Sequence, residues 1–473
     1  MTASDMPRFY YGWVIAFTAM LVLLVSNGMT LAGPIVFDEL IIQEISAERA
    51  LNSLNAAYST DLTRGDLQSL LPDSSLRINS DLAQALLASA GRDVPAGEVE
   101  AVLRQSAVSV AGLKIRDMIT LFTSGIIAFF AGALADRLGP RRLIIAGLSL
   151  LAVAYWCYGR VTTLWDIYLV HALMGVVISL AGLLVNVILV ARWFIQSRGT
   201  AIGIALAGTS LGNAFFPPLN GWLLQFGDWR DVFSWVAFLP LAMVPVAFIL
   251  LRDRPSNISV DVSARTATAA SNEGFTLGEA LRSRNFWMLA LLAMLTFYSI
   301  LAMGTHTFLF MREEGYSLMV ASTGSTILFV SGLIGKVISG RLAEIFGRKR
   351  ILLTGITLML SGVLCLLLTS MVHSRVLLWV GLFAFGFGWG GIYTLIQLLC
   401  ADLFGLRSLG KIMGSITVLD TFGGGLGPFI TGFLYDISGG YVVPFMLISA
   451  LLASAGVCAS LIVAGEERPV AAT

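Results

Sequence analysis

Lys336, Asp420, His306, Tyr298 and Tyr393 stand inside long apolar runs of this chain. A charged or strongly polar group at that depth is kept when it meets a partner or faces a cavity, so each is a functional candidate. Lysine brings a positive charge and three N–H donors, which suit a carboxylate, and a tyrosine hydroxyl can donate to the same group. Asp420 and His306 can take up and release protons. Asn27, Asn186 and Asn213 supply amides that either form a polar wall or tie one helix to the next. The chain has no Walker loop, no zinc-ligand spacing and no nucleophile beside a recognisable base. The chemistry in view is therefore binding and translocation of a small anion, with protons as the coupled species; no enzyme, cofactor or metal site is expected.

Residue counts turn these positions into depths. Asp420 lies nine residues beyond Lys411, roughly 13 Å along a helix, too far for a short side chain to reach water. It reads as a proton acceptor or the partner of a binding-site cation; the plainer alternative is a hydrogen-bonded structural carboxylate. Lys336 is five residues from Arg341, roughly 8 Å inside the same edge. Its stem either snorkels down to the interface or points upward to the depth of Asp420. Tyr298 and Tyr393 count to middle depth, where both ligand contact and aromatic packing fit. His306 falls nearer the far end of its run, as a pH-sensitive gate residue or an ordinary interfacial histidine. Lys114, Arg116 and Asp117 sit at the outer end of another run, where snorkelling or binding the acidic insertion between the first two spans explains them.

The elements that position these groups follow from composition. Of 473 residues, 57% are hydrophobic and only 12% charged, well below the quarter or so that a water-facing surface requires. A net charge of +1 offers no case for nucleic acid. Cys157, Cys365, Cys400 and Cys458 lie in apolar runs without paired spacing and read as small buried hydrophobes. The first apolar run lacks a small-residue cleavage site and reads as a retained span. About 20 apolar residues cross the hydrocarbon as a helix. Twelve such stretches are predicted, near 11–38, 109–134, 143–160, 166–191, 199–224, 231–251, 285–311, 319–340, 351–371, 376–401, 410–435 and 441–464.

Arginine and lysine set the orientation. One set of loops holds Arg137, Arg141, Arg142, Arg192, Arg198, Arg252, Arg254, Arg282, Arg284, Arg348, Lys349, Arg350, Arg407 and Lys411. The opposite short loops hold only Arg160, Arg230, Arg312 and Arg375. The positive-inside rule makes the first set cytoplasmic, with both termini, in a bacterial inner membrane. Two of these loops repeat one motif: "GALADRLGPRR" from Gly132 and "GRLAEIFGRKR" from Gly340. Gly132, Asp136 and Gly139 correspond to Gly340, Glu344 and Gly347, with Arg137 and Arg141 among the cations of the first copy and Arg341 and Arg348 among those of the second. Each copy follows the second helix of a six-helix half. The chain thus reads as two parallel halves joined by a cytoplasmic linker, 252–284, and followed by a short tail from 465; its substrate site belongs near the midplane between them.

On these features the sequence resembles the major facilitator superfamily. "YYGWVIAF", "ARWFIQSRGTAIGIALAGTSLGN", "LRSRNFWML" and "FGLRSLGKIMGSITVLDTFGGGLGP" are similar to its monocarboxylate and oxalate/formate branch. The resemblance implies an all-α, twelve-helix carrier of small organic anions working by alternating access, by proton coupling or by exchange. It also implies a latch in the twin loops, and a carboxylate-gripping cation on the eighth helix, where Lys336 stands and relatives more often have arginine. Some relatives carry a lysine on the eleventh helix, where this chain has Asp420. Monocarboxylate carriers commonly have one late in the first helix, where "SNGMTLAGPIVF" has none.

Residues 39–108 form an insertion of about seventy residues, acidic and predicted extracytoplasmic. "DELIIQEISAERALNSLNAAYS" and "INSDLAQALLASA" have helical periodicity, and "PAGEVEAVLRQSAVSV" reads as a third helix, either separate from or continuous with the second span. A cap over the outer mouth and a decoration of its rim both fit; its partner is open. Two other functions share the pattern: efflux of lipophilic, drug-like compounds, and a non-transporting sensor whose outer cap binds a ligand.

Overall fold

The computed structural model describes residues 10–70, 78–194, 198–253, 274–405 and 407–463. The predicted linker and the C-terminal tail lie largely outside the described residues. Among the described residues the regular elements are all helical. The first spanning helix, α1 (Gly12–Asn27), runs through a π-turn (Gly28–Ala32) and a 3-10 turn (Gly33–Phe37) into α2 (Asp38–Tyr58). Short helices α3 (Arg64–Leu70), α4 (Ser80–Ser89) and α5 (Ala96–Ser106) follow. The first half continues with α6 (Val110–Leu138), α7 (Pro140–Tyr158), the broken pair α8 (Leu164–Ala181) and α9 (Leu183–Trp193), α10 (Arg198–Leu223), and the pair α11 (Trp229–Val236) and α12 (Phe238–Leu250). After α13 (Leu277–Arg282), the second half comprises α14 (Arg284–Glu313), α15 (Leu318–Phe346), α16 (Arg348–Val372), the broken pair α17 (Arg375–Gly390) and α18 (Ile392–Phe404), α19 (Leu409–Ser438) and α20 (Val442–Leu461).

Long helices thus occupy the predicted apolar stretches. Among the described residues ten segments are long and apolar enough to cross a membrane, counting each broken pair once. The helices α6 and α19, of 29 and 30 residues, match them in length. Each half buries its own core, one around Leu148, Ile167, Val177 and Phe233, the other around Leu289, Leu328, Leu382 and Ile448. Large apolar side chains such as Trp165, Leu169, Ile249, Val337 and Val376 point outward, as a lipid-facing surface requires. Two crossings, α6 along α19 and α10 along α15, join the halves.

The internal repeat appears in backbone detail. Gly139 and Gly347 each link the second and third spans of a half, at φ +87° and +89° with ψ 142° and 140°. That left-handed region admits glycine and strains other residues. The motif cations clamp their own half. Arg141 donates to the Phe248 carbonyl, Arg348 pairs with Asp402, and Lys349 reaches the carbonyls of Ser460 (2.8 Å) and Ile462 (2.6 Å). Arg137, Arg341 and Glu344 are exposed. Among the described residues Glu344 has no ion pair; the side chain of Asp136 falls outside the described residues.

The fourth span of each half is interrupted at a glycine, Gly182 and Gly391. In the first span Pro34 has no N–H to continue the helical ladder, and the backbone widens into the π-turn and then tightens. Released carbonyls there are taken by neighbours: Tyr155 donates to Met29 O (2.5 Å) and Asn220 to Gly33 O (2.9 Å).

The insertion has its own small core of Leu51, Leu54, Leu67, Leu86, Leu87 and Val99. Its buried Glu44 anchors it to α11, pairing with Arg230 (2.5 Å) and accepting from Trp229 Nε1 (2.6 Å), while Arg64 pairs at 2.6 Å. The helix predicted from 95 is not continuous with the second span. Ala107 turns extended, and Ser109 starts α6 afresh by capping Gly112 N–H (3.0 Å).

Lys114 and Arg116 do not snorkel, because both are fully buried. Asp38 holds them with its two oxygens, Lys114 at 2.5 Å and Arg116 through its other oxygen. Asp117 lies 3.7 Å from Lys114 and 3.5 Å from Arg116. Arg116 donates to Tyr158 (3.0 Å), whose hydroxyl lies 3.3 Å from His171.

Candidate functional site

Between the halves lies a cavity of about 250 Å³. Its wall comes from the first, second, fourth and fifth spans of each half, so the repeat builds the site from matching positions. The walls are close-packed through glycine. A β-carbon on Gly390 of α17 would strike the Gly332 carbonyl of α15, so "GFGWGG" serves close approach rather than phosphate binding.

Five predicted site residues line this cavity: Asn27, Asn213, Lys336, Tyr393 and Asp420. Lys336 therefore points to the cavity rather than to the membrane edge, and its ammonium has one long contact, Ser210 Oγ at 3.4 Å. Asp420 is 5% exposed, with one long contact from its neighbour Thr421 at 3.4 Å. No ion pair joins Lys336 to Asp420, which corrects the expectation of a paired couple. They are an isolated cation and an isolated acid on the wall of one cavity. Further polar atoms there lack partners: Asn213 Oδ1 and Trp389 Nε1 are buried without a hydrogen bond. The rest of the wall is mostly apolar and aromatic, including Phe297, Phe329, Ile300 and Ile392.

Three predicted residues lie off the wall. Tyr298 is buried 3.2 Å from Thr431, joining α14 to α19. Asn186 donates to the carbonyls of Ala181 (2.8 Å) and Gly182 (2.9 Å), satisfying the interruption of the fourth span. His306 is neither interfacial nor open. Its Nε2 lies 2.9 Å from the Pro428 carbonyl and must donate there, leaving Nδ1 to accept from Tyr441 at 3.0 Å. Those bonds fix a neutral tautomer that staples α14 to α19 and α20.

Sequence reasoning missed Thr209, Ser210, Thr296 and Trp389 on the wall, and the buried His171. Small hydroxyls in apolar helices ordinarily bond their own backbone, so depth alone does not single them out. Ser210 and Asn213 share the stretch "GTSLGN", three residues apart on one helical face, which is the signal available.

The chain matches the family model of the Major Facilitator Superfamily over residues 82–425 and 325–473. It belongs to that family. It is thus a multi-pass membrane transporter, of a family whose fold implies twelve spanning helices. Among curated relatives, it is 27% identical to monocarboxylate transporter 13 of Rattus norvegicus over 330 residues, covering 70% of this chain and 75% of the relative. It is 24% identical to the oxalate:formate antiporter of Oxalobacter formigenes over 349 residues, 72% of this chain and 79% of that one. It is 23% identical to a gallate transporter of Pseudomonas putida over 351 residues, 68% and 76% of the two chains. Organic anions recur in these names.

Proposed function

We propose that this transporter carries a small organic monocarboxylate by alternating access, with Lys336 as the cation that takes the carboxylate. The observation behind it is a lysine on the wall of the central cavity with no acidic partner among the described residues. A ligand carboxylate would offset that charge, and the unpartnered Trp389 N–H and the Tyr393 hydroxyl are donors for its remaining lone pairs. The wall contains one cation and one acid, so a second ligand carboxylate would meet Asp420 without a cation of its own. This favours one carboxylate over two.

Asp420 supplies the coupling in this reading. An arriving anion puts two carboxylates in one apolar cavity, and like charges there drive the protein's own acid to take up a proton. One anion and one proton would then travel together. His306 has no part in it, since both ring nitrogens are already used. The cation-rich loops orient the termini to the cytoplasm of a plasma membrane and the insertion outward. Lipophilic efflux is the second reading, favoured by the apolar area of the wall.

Reconstituted protein tests these readings. Lys336→Ala should lose monocarboxylate binding and flux, while Asp420→Asn should bind but lose the dependence of flux on the proton gradient. Full carboxylate flux in Lys336→Ala would turn the assignment toward lipophilic cargo.

A further inference from the structure

At the insertion end, polar contacts join the two halves. Glu39, in the first turn of α2, pairs with Arg312 of α14 at 2.6 Å. Lys114 donates to the carbonyl of Thr305, also on α14, at 2.8 Å. Thr305 and Arg312 are seven residues apart, two turns along one face of that helix. At the far end of the insertion, Asp436 of α19 accepts from the first two N–H groups of α6, Val110 (2.9 Å) and Ala111 (2.8 Å). These donors have no intrahelical partner and favour an anion. Both ends of the insertion are therefore tied to the second half, and Thr305 belongs to the cavity wall.

Lys114 has a second acceptor within reach. Asp117 Oδ2 is buried, makes no hydrogen bond, and lies 3.7 Å from the Lys114 nitrogen. Asp38, Asp117, Lys114 and Arg116 sum to zero charge. If the halves part at this end, Lys114 loses a carbonyl but keeps Asp38, and Asp117 is placed to replace the lost bond. Opening then costs one exchanged hydrogen bond rather than an uncompensated buried charge.

We propose that Lys114 is a two-position gate element, on the Thr305 carbonyl when the insertion end is closed and on Asp117 when it is open. The first turn of α2 is its lever. Because α2 follows α1 through the π- and 3-10 turns with no loop between them, tilting of the first span moves Asp38 and Glu39 together. The insertion is a working part of the outer gate. This rests on alternating access between the halves but not on the identity of the cargo.

The test uses a cysteine at Gly304, a cavity position where a β-carbon meets only Phe329 at ordinary contact distance. The four native cysteines are replaced by serine, and an impermeant thiol reagent is applied from the insertion side of the full-length protein in membranes. Glu39→Gln should speed labelling by up to about fivefold, the range of a partly exposed ion pair. Glu39→Arg should speed it as well, and adding Arg312→Glu should return the original rate. Asp117→Asn should slow labelling, since it strips the open-state acceptor of its charge. Opposite signs in two neighbouring acids are not expected of a structural rim. Unchanged labelling in Glu39→Gln, or faster labelling in Asp117→Asn, would overturn the proposal. Since the readout needs no substrate, it stands even if carboxylate binding fails.

Discussion

Two sets of buried charges divide this molecule, built from the same residue types and used in opposite ways. At the insertion end, Asp38, Lys114 and Arg116 are wholly buried, and each charge is matched by another at contact distance. In the central cavity, Lys336 and Asp420 have no charged partner among the described residues; Lys336 has a hydroxyl at 3.4 Å, and Asp420 bonds to its neighbour Thr421. A compensated cluster holds helices in place and can afford one exchangeable bond. An uncompensated pair on a cavity wall leaves its compensation to what enters. Burial alone would not have separated the two; their partners do.

The largest effect that could break this contrast is on stability. Asp38→Asn leaves two cations short of their acid and should destabilise the protein by about 3–5 kcal/mol. Asp420→Asn, which removes an acid without a partner, should leave the unfolding midpoint unchanged or raise it. Thermal unfolding of the purified variants checks both. Next in size is binding. Loss of the charged hydrogen bond in Lys336→Ala should weaken a monocarboxylate by about 10- to 100-fold, measured by calorimetric titration.

The asparagines sharpen the contrast further. Asn186→Ala strips two carbonyls of their donor at the break in the fourth span and should cost about 1–3 kcal/mol of stability with binding intact. Asn213→Ala should do the reverse, weakening binding by a few-fold, about 0.5–1.5 kcal/mol, with stability intact. Glu344→Gln, exposed and unpaired in this state, should change stability by less than about 0.5 kcal/mol.

Much of the fold was legible because hydrocarbon imposes length and composition on every span. The twin loop motif gave the repeat, and the structure repeats it down to Gly139 and Gly347. The site was legible in part. Lys336 and Asp420 could be found by counting depth, since a charge in an apolar run has few bland explanations. Tyr298, Asn186 and His306 could not be sorted the same way. A polar side chain at the right depth may face the cavity or a neighbouring helix, and rotation about the helix axis is fixed by packing that one sequence does not reveal. The Asp38 cluster was hidden for a related reason. Its members lie 76 and 78 residues apart, across the insertion, and only the folded chain brings them together.

One paired measurement tests the central contrast most directly: unfolding midpoints of Lys114→Met and Lys336→Met, each with and without a saturating monocarboxylate. A ligand that binds the native state raises its midpoint by mass action. Lys114→Met should unfold at lower temperature than the parent yet still be stabilised by the ligand. Lys336→Met should keep the parent midpoint and lose the ligand-induced rise. A ligand-induced rise that survives in Lys336→Met, or one that vanishes only in Lys114→Met, would contradict the assignment of the central cavity as the carboxylate site.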